Sequence, residues 1–580
     1  MIMKKRMKWT GAFIFICMLV LIARLADIQL INTESFGGEN VNLIEESVGQ
    51  RTQEVMIDDG RGRFVDRNLL PVGNFQEPKL VLFPFLKNIE WPKEKLAQIT
   101  GYSAFALKNM LEDADKPLIM GSAEGITLTE SQMDTINDLE IPGVFAIYQQ
   151  AKKKDEAANH IIGITGESPD VLRERYPDKK ELSSKTQVGF TGLEKAFDEF
   201  LLPDAETKLL YHVDGDGNPL FGINVKYIAN ANPFYPVSVK TTIDSRIQKM
   251  ADAIVTRYGI KKGGLVLLDA ETSEVLAMVS KPALERSDSG SHTNHMLTPQ
   301  IPGSVFKTVI AAAAIESGLK LKNSYNCQLD MYGEHDDDSD MGILNFERSF
   351  ARSCNYTFTT TADELIKKDK KTIEEFAGKL GLTEKNGWSG NVFHYNQFRQ
   401  FPEEKSPSIW DDPRDKGAFR AVAQTAIGQK NVRVTPLAAA NMMATIARGG
   451  EKKQVKIADS ILYKNGTTMF EFPDQDMEGD GISPYTASKL QHLLRLVVTD
   501  KDGTGRRFQS LPFEVSGKSG TAETGHKTVH KWFAGYFPSN NPKYALAVVE
   551  LDTQSETSSA NSIFYDVAAE LSRLENASTR

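Results

Sequence analysis

The chain has 580 residues, too many for one ordinary hydrophobic core, so two or three folded units are expected. Charged residues at 25% and hydrophobic residues at 41% exclude an intrinsically disordered chain. The net charge is −9, no uninterrupted basic run beyond the N-terminus is longer than Lys152–Lys154 and no aromatics interleave with lysines, which argues against nucleic acid as a partner.

The first predicted element is a membrane helix. Lys4, Lys5, Arg6 and Lys8 precede the apolar run Gly11 to Ala23, which alone is short for a span. Beyond Arg24 the pattern continues through Leu25, Ala26, Ile28, Leu30 and Ile31, so one helix is expected over 9–31, with Arg24 reaching toward the interface. No Ala-x-Ala cleavage site follows, and Phe15 and Ile16 ahead of Cys17 do not suit a lipidation site. Basic residues before the span and acidic ones after it (Asp27, Glu34, Glu39, Glu45, Glu46) place residues 1–8 in the cytoplasm. The expectation is an uncleaved anchor at the cell membrane, with everything after residue 31 outside it. Only Cys327 and Cys354 lie where they can pair; two free, buried thiols are expected.

Residues 40–235 read as a mixed, relatively polar α+β module. Arg61 to Asn68 suggests a strand running into a turn, Lys79 to Phe83 a short apolar strand, and Ser103 to Asp113 a helix. The charged run Lys152 to Asp155 reads as a solvated loop. Breakers around Asn230 to Pro236 mark a boundary, so 236–580 forms the second folded unit. There Gly264–Asp269 and Glu274–Val279 form a predicted hairpin, helices follow from Val305 to about Arg448, and strands Trp532–Phe537 and Tyr544–Leu551 precede a closing helix, Ser562–Leu574. Strands at both ends with helices between imply one sheet whose first and last strands meet around an inserted helical lobe. The acidic cluster Glu334 to Asp338 lacks the alternating spacing of a calcium loop and reads as solvated. His292 and His295 lie in a stretch read as a mobile loop, with no third ligand. No metal or other cofactor is expected.

Three short motifs carry chemistry. Ser304-Val-Phe-Lys307 opens the apolar run Thr308 to Ile315; on a helix, residues three apart share a face. A lysine stripped of water loses basic-range affinity for its proton and can take one from a serine. Ser-x-x-Lys is common, and Ser317-Gly-Leu-Lys320 is a second copy where the helix should end. Ser353-Cys354-Asn355, 49 positions after Ser304, offers a hydroxyl to shuttle a proton and an amide to hold a carbonyl. The other Ser-x-Asn copies, at Ser324, Ser389, Ser539 and Ser559, are read as turns, whereas a helix is expected after Ser353. Lys518-Ser519-Gly520-Thr521 follows an extended pattern; its lysine and hydroxyl suit a substrate carboxylate, and Gly520 is read as leaving the strand edge open to a peptide. Cys354 as nucleophile lacks a neighbouring base.

These motifs together resemble those of penicillin-binding proteins and serine β-lactamases. The likeness extends over most of the chain and is to class B penicillin-binding proteins. Arg61-Gly-Arg-Phe-Val-Asp-Arg-Asn68 and Gly189-Phe-Thr-Gly-Leu-Glu194 resemble boxes of that class's N-terminal module. Thr242-Ile-Asp244 with Gln248, Ala426-Ile-Gly-Gln429 and Thr435-Pro436 are similar to boxes of its transpeptidase domain. The resemblance implies an α/β (α+β type) fold: a transpeptidase domain with a central antiparallel sheet and an inserted helical lobe, behind a pedestal or dimerisation module and one transmembrane helix. It implies a serine D,D-transpeptidase that cross-links peptidoglycan stem peptides and is acylated by β-lactams. Ser304 would attack the D-Ala-D-Ala carbonyl with Lys307 as base, while Ser353 and Asn355 relay protons and hold the donor. Lys518, Ser519, Gly520 and Thr521 would bind the terminal carboxylate end, and the backbone N–H groups of Ser304 and Thr521 would form the oxyanion hole.

The absence of Glu-x-x-Leu-Asn between Ser353 and Lys518 disfavours a β-lactamase. A D,D-carboxypeptidase would use the same motifs with water as acceptor, and a non-enzymatic cell-wall scaffold would not need them intact. No glycosyltransferase segment is evident, so a glycosyltransferase or other assembly partner is expected to bind through 40–235.

Overall fold

The computed structural model describes residues 2–33, 43, 47, 51–152, 157–179, 182–214, 225–229, 231–337, 339–525, 527–555 and 557–578. Helix α1 (Ile2–Ala26) runs into a π-helical turn at Asp27–Ile31. Its stretch Lys5–Ile31 is long and apolar enough to cross a membrane, and its apolar window is exposed among the described residues. The helix thus begins in the basic flank, earlier than residue 9, and Arg24 pairs with Asp27 at 2.5 Å. Glu34, Glu39, Glu45 and Glu46 lie outside the described residues.

In the N-terminal module, Asn74–Leu82 is the middle strand of a three-stranded antiparallel sheet between Leu118–Met120 and Val144–Lys152. Alternate residues Leu80 and Leu82 turn to one side, against the helices Lys93–Thr100, Ala104–Glu112 and Glu130–Asp138. The hydroxyl of Ser103 caps the second of these helices by accepting from Ala106 N. Lys152 closes a strand rather than opening a loop, and 153–155 fall outside the described residues.

The two sequence boxes of this module meet in a buried ionic knot. The Arg61 guanidinium donates to Glu194 Oε2 at 2.8 and 3.0 Å and to Asp198 Oδ1 at 2.8 Å, while Arg175 and the Tyr176 hydroxyl reach Asp198 Oδ2. All three members of the inner triad are at most 4% exposed. Replacing Arg61 with alanine strands two buried carboxylates; we expect a loss of about 3–5 kcal/mol, read as a fall in the midpoint of the first thermal unfolding transition. An unchanged midpoint would show that Arg175 alone neutralises the pair.

Strand β1 (Arg63–Val65) leaves this knot and pairs in parallel with β2 (Ser238–Thr241). Asp66 then forms a turn by accepting from Asn68 N and Leu70 N, and its second oxygen accepts from Ser245 N. Asp244 caps α2 (Ser245–Arg257), and Gln248 on that helix clamps Met278 through both its amide atoms. The boxes at 61–68 and 242–248 therefore do the same work from two sides: they fix the N-terminal module onto the second unit.

The second unit contains β3 (Gly263–Asp269) and β4 (Val275–Lys281), then the helical lobe with α3 (Lys307–Glu316), α4 (Phe346–Arg352), α5 (Asn355–Lys368) and α6 (Pro436–Ala447). Strand β5 (Ala458–Leu462), helix α7 (Pro484–Thr499), strands β6 (Ser516–Glu523), β7 (Val529–Phe537) and β8 (Tyr544–Thr553), and helix α8 (Ser559–Ser578) complete it. The five-stranded sheet has the order β4-β3-β8-β7-β6, all antiparallel, so the first and last strands meet as expected. Along β3, Leu265 and Leu267 face α2 and α8, whereas Val266 and Leu268 face the helical lobe. Helix α3 is apolar all round because it is the centre of that lobe: Thr308 to Ala314 are wholly buried.

The boundary at 235/236 is not a gap between two bodies. A second sheet runs Thr468–Glu471, β5, β2, β1, Pro71–Val72, so strands from both sides of the boundary share one ladder. Residues 289–297 are also more ordered than the mobile loop expected from sequence. They form two 3-10 turns, Ser289–His292 and His295–Leu297, with the His295 ring buried and its pKa lowered to about 4 by desolvation.

Candidate active site

Ser304 lies in the 3-10 turn Gly303–Phe306 that leads into α3, half-buried, at the edge of a 520 Å³ cleft. The turn is pressed against β6 so closely that two positions must be glycine. A Cβ on Gly303, whose φ is +56°, would sit 2.3 Å from Thr521 O, and one on Gly520 would sit 2.5 Å from Pro302 O. Gly520 thus admits the nucleophile-bearing turn, not a peptide as the sequence reading had it. Gly303 N donates to Gly428 O, and a Cβ on Gly428 would meet Gly303 O, which explains the Ala426–Gln429 box. Trp532 Nε1 donates to Ile301 O and fastens the same segment to β7.

One residue into α3, Lys307 is wholly buried. Its ammonium donates to Ser353 O at 2.6 Å, Ser353 Oγ at 3.2 Å and Asn355 Oδ1 at 2.7 Å. Ser353 is the left-handed residue between α4 and α5, with φ +64° and ψ +36°. A non-glycine residue there costs on the order of 1–2 kcal/mol. That conformation turns both its carbonyl and its hydroxyl toward Lys307. From the other wall, Lys518 on β6, also wholly buried, donates to the same Ser353 Oγ at 3.0 Å. Ser353 Oγ therefore bridges two lysines.

Burial sets the proton affinity of both. Desolvation, and then the neighbouring Lys518 charge, push Lys307 well below the ordinary lysine range; desolvation alone brings Lys518 down to about 7. Both shifts favour the neutral amine, and at Lys307 the Lys518 charge adds to the desolvation. Among the described residues Ser304 Oγ has no hydrogen-bond partner, so Lys307 is held by the Ser353 turn rather than by the serine it is expected to deprotonate.

Ser519 and Thr521 project into the cleft from β6, and Ser519 Oγ donates to Thr504 Oγ1 at 2.8 Å. Thr504, just beyond α7, places a third hydroxyl in the cleft beside Ser519 and Thr521. Sequence reasoning missed it because its segment, Asp502-Gly-Thr-Gly505, reads only as a turn. Ser317 caps the end of α3, as expected of a decoy. The other Ser-x-Asn copies are not all turns: Ser389–Asn391 lies in the strand Ser389–Val392 and Ser559–Asn561 begins α8.

The cysteine expectation is overturned. Cys327 and Cys354 form a disulfide, with Cα atoms 5.8 Å apart. The pairing joins the segment after Tyr325 to the middle of the second motif, which sequence spacing of 27 residues did not reveal. It also leaves Cys354 no free thiol with which to act as a nucleophile.

With this geometry in view, comparison with known proteins is direct. The penicillin-binding protein transpeptidase domain model matches residues 263–569, and the penicillin-binding protein dimerisation domain model matches 59–229. The chain belongs to the penicillin-binding protein transpeptidases, in the class B arrangement that sets a dimerisation domain before the catalytic one. It is similar to the peptidoglycan D,D-transpeptidase PbpA of Mycobacterium tuberculosis, 27% identical over 417 residues that cover 64% of this chain and 78% of that protein. It is also similar to the peptidoglycan D,D-transpeptidase MrdA of Acinetobacter baumannii, 22% identical over 610 residues, covering 94% of this chain and 84% of that one. Among solved structures, a chain described under structural coordination of polymerization and crosslinking by a peptidoglycan synthase complex shares the fold, with a TM-score of 0.64 at 21% identity over 97% of this chain and 98% of its own.

Proposed function

We propose that this protein is a membrane-anchored serine D,D-transpeptidase that cross-links peptidoglycan stem peptides through an acyl-enzyme on Ser304. The observation that carries the reading is Ser353 Oγ bridging Lys307 and Lys518, one on the helix of the nucleophile and one on the strand beside it. Neutral Lys307 takes the proton of Ser304 as Oγ attacks the penultimate D-Ala carbonyl. The N–H groups of Ser304 and Thr521, held close by the Gly303 contact, receive the oxyanion. Charged Lys518 with the hydroxyls of Ser519, Thr521 and Thr504 receives the terminal carboxylate. The Ser353 hydroxyl passes the proton to the departing D-Ala nitrogen, and Asn355 holds the donor amide. An acceptor amine then attacks the ester, forming the cross-link and releasing Ser304. A β-lactam acylates Ser304 in the same way.

The anchor's flanking charges support a cytoplasmic N-terminus with the catalytic domain outside, where a disulfide persists. Residues 40–235 then form the surface for a glycan-polymerising partner, in keeping with a similar fold seen in a synthase complex.

Incubated with a fluorescent penicillin, the full chain in detergent should hold a covalent label for hours. Supplied with nascent glycan strands bearing stem pentapeptides, it should release D-alanine and form new cross-links in step. Rapid label turnover would make it a β-lactamase, and D-alanine release without cross-links a carboxypeptidase.

A further inference from the structure

Two buried lysines meet at the Ser353 turn with no carboxylate beside them among the described residues. What stands there instead is aromatic. Lys307 Nζ lies over the Phe358 ring, 5.6 Å from its centroid, and Lys518 Nζ lies over the Phe350 ring at 5.8 Å. The rings belong to α5 and α4, the two helices that Ser353 joins; both are wholly buried and meet edge to face, with centroids 5.8 Å apart. The face of such a ring carries negative partial charge and attracts a cation within about 6 Å, more strongly where water is excluded.

The two lysines do not depend on their rings equally. An ammonium has three donors to satisfy. Lys307 matches them with three oxygens: Ser353 O, Ser353 Oγ and Asn355 Oδ1. Lys518 has two, Ser353 Oγ at 3.0 Å and Ser519 O at 3.1 Å, so the Phe350 face is its third partner. Other groups on the elements packed about β6 do not take that place. On α4, Arg348 and Arg352 are paired with Asp500 and Asp340. On α7, Arg495 is paired with Glu514, and on β7 desolvation pushes the buried Tyr536 phenol up to about 12, which keeps it neutral. Glu523 lies at the far end of β6.

We propose that Phe350 is a positioning residue for acylation: its ring face completes the surroundings of the Lys518 ammonium and keeps that group charged to receive the donor's carboxylate. The assignment rests on the acyl-enzyme reading, which gives Lys518 that task. Phe358 lies over a lysine whose three donors are all taken and has no such role.

The test replaces Phe350 with mono-, di- and trifluorophenylalanine, which withdraw the negative face stepwise while nearly keeping the ring's shape. Second-order acylation by a fluorescent penicillin is followed from about pH 5 to about pH 10 on the full chain in detergent, beside the thermal midpoint. In the wild type the rate falls on the alkaline side as Lys518, with its pKa at about 7, loses its proton. Weakening the ring face destabilises the charged form, so that limb should move to lower pH with each fluorine. The trifluoro variant should shift it by about half a unit, the size of a cation–π contact near its outer distance, with the thermal midpoint unchanged. Phe350→Leu should shift it in the same direction, and trifluorophenylalanine at position 358 should leave it in place. An alkaline limb that stays put in every Phe350 variant overturns the proposal while leaving Ser304 as the acylated residue, whether or not the rate falls uniformly. An equal shift from the position 358 variant also overturns it, because the third-partner argument separates the two rings. No label on the wild type at any pH would overturn the acyl-enzyme reading, and the proposal with it.

Discussion

Ser304→Ala will abolish covalent labelling by penicillin and all cross-linking, with folding intact. The hydroxyl is half-exposed and has no hydrogen-bond partner among the described residues, so its loss leaves no buried polar group stranded. The turn that carries it is set by Gly303, Gly428 and the Trp532–Ile301 bond, none of which involves the side chain. Residual non-covalent β-lactam binding should persist, because the Lys518 end of the cleft is untouched. The measurement is label intensity against thermal stability. Equal labelling in the variant would move the nucleophile elsewhere.

Lys307→Met should lower the acylation rate by about 10²–10⁴-fold, the usual range for removing a positioned base. The unbranched apolar side chain fits the volume of a wholly buried site but withdraws the donor of Ser353 O and Asn355 Oδ1, so thermal stability is measured beside the rate to separate the lost chemistry from a loosened turn. The pH profile separates the two lysines. Lys307 must be neutral to act, and its pKa is depressed, so the rate falls as pH drops through that pKa on the acid side. Lys518 must be charged to attract a carboxylate, and its pKa lies at about 7, so the second-order rate falls as pH rises through that value. Lys518→Arg keeps the charge at all working pH and should remove the alkaline limb, at some cost in fit to the Ser353 hydroxyl. An alkaline limb unchanged in that variant would assign it to another group.

Much of this site could be read from the chain because its motifs are local. Ser304 and Lys307 share one turn, and Ser353 and Asn355 flank one helix start, so spacing alone proposes the grouping. Strand and hairpin patterns likewise gave the central sheet, since β3 alternates cleanly between two cores. What escaped the sequence depends on distant packing. The partner of Cys354 is 27 positions away across a loop with no periodicity. The reason for Gly520 lies in a turn more than two hundred residues earlier, which no strand-edge argument reaches. The Arg61 and Glu194 boxes were recognisable as motifs, yet their common purpose, one buried ionic knot, appears only when residues 133 apart are brought into contact.

The shared ladder of β1, β2 and β5 has a practical bearing on how this protein is handled. A catalytic fragment cut at the boundary near 236 would lose β1 and leave one long side of β2 with unanswered N–H and C=O groups. Such an edge recruits other strands, and the fragment would tend to aggregate for reasons unrelated to its active site. Asp66 and Arg67, which bond to Ser245 and Ile243, would be lost with it and leave the start of α2 unsupported. A soluble form is better begun between the anchor and Thr52, so that the pedestal remains as a folding partner of the enzyme it carries.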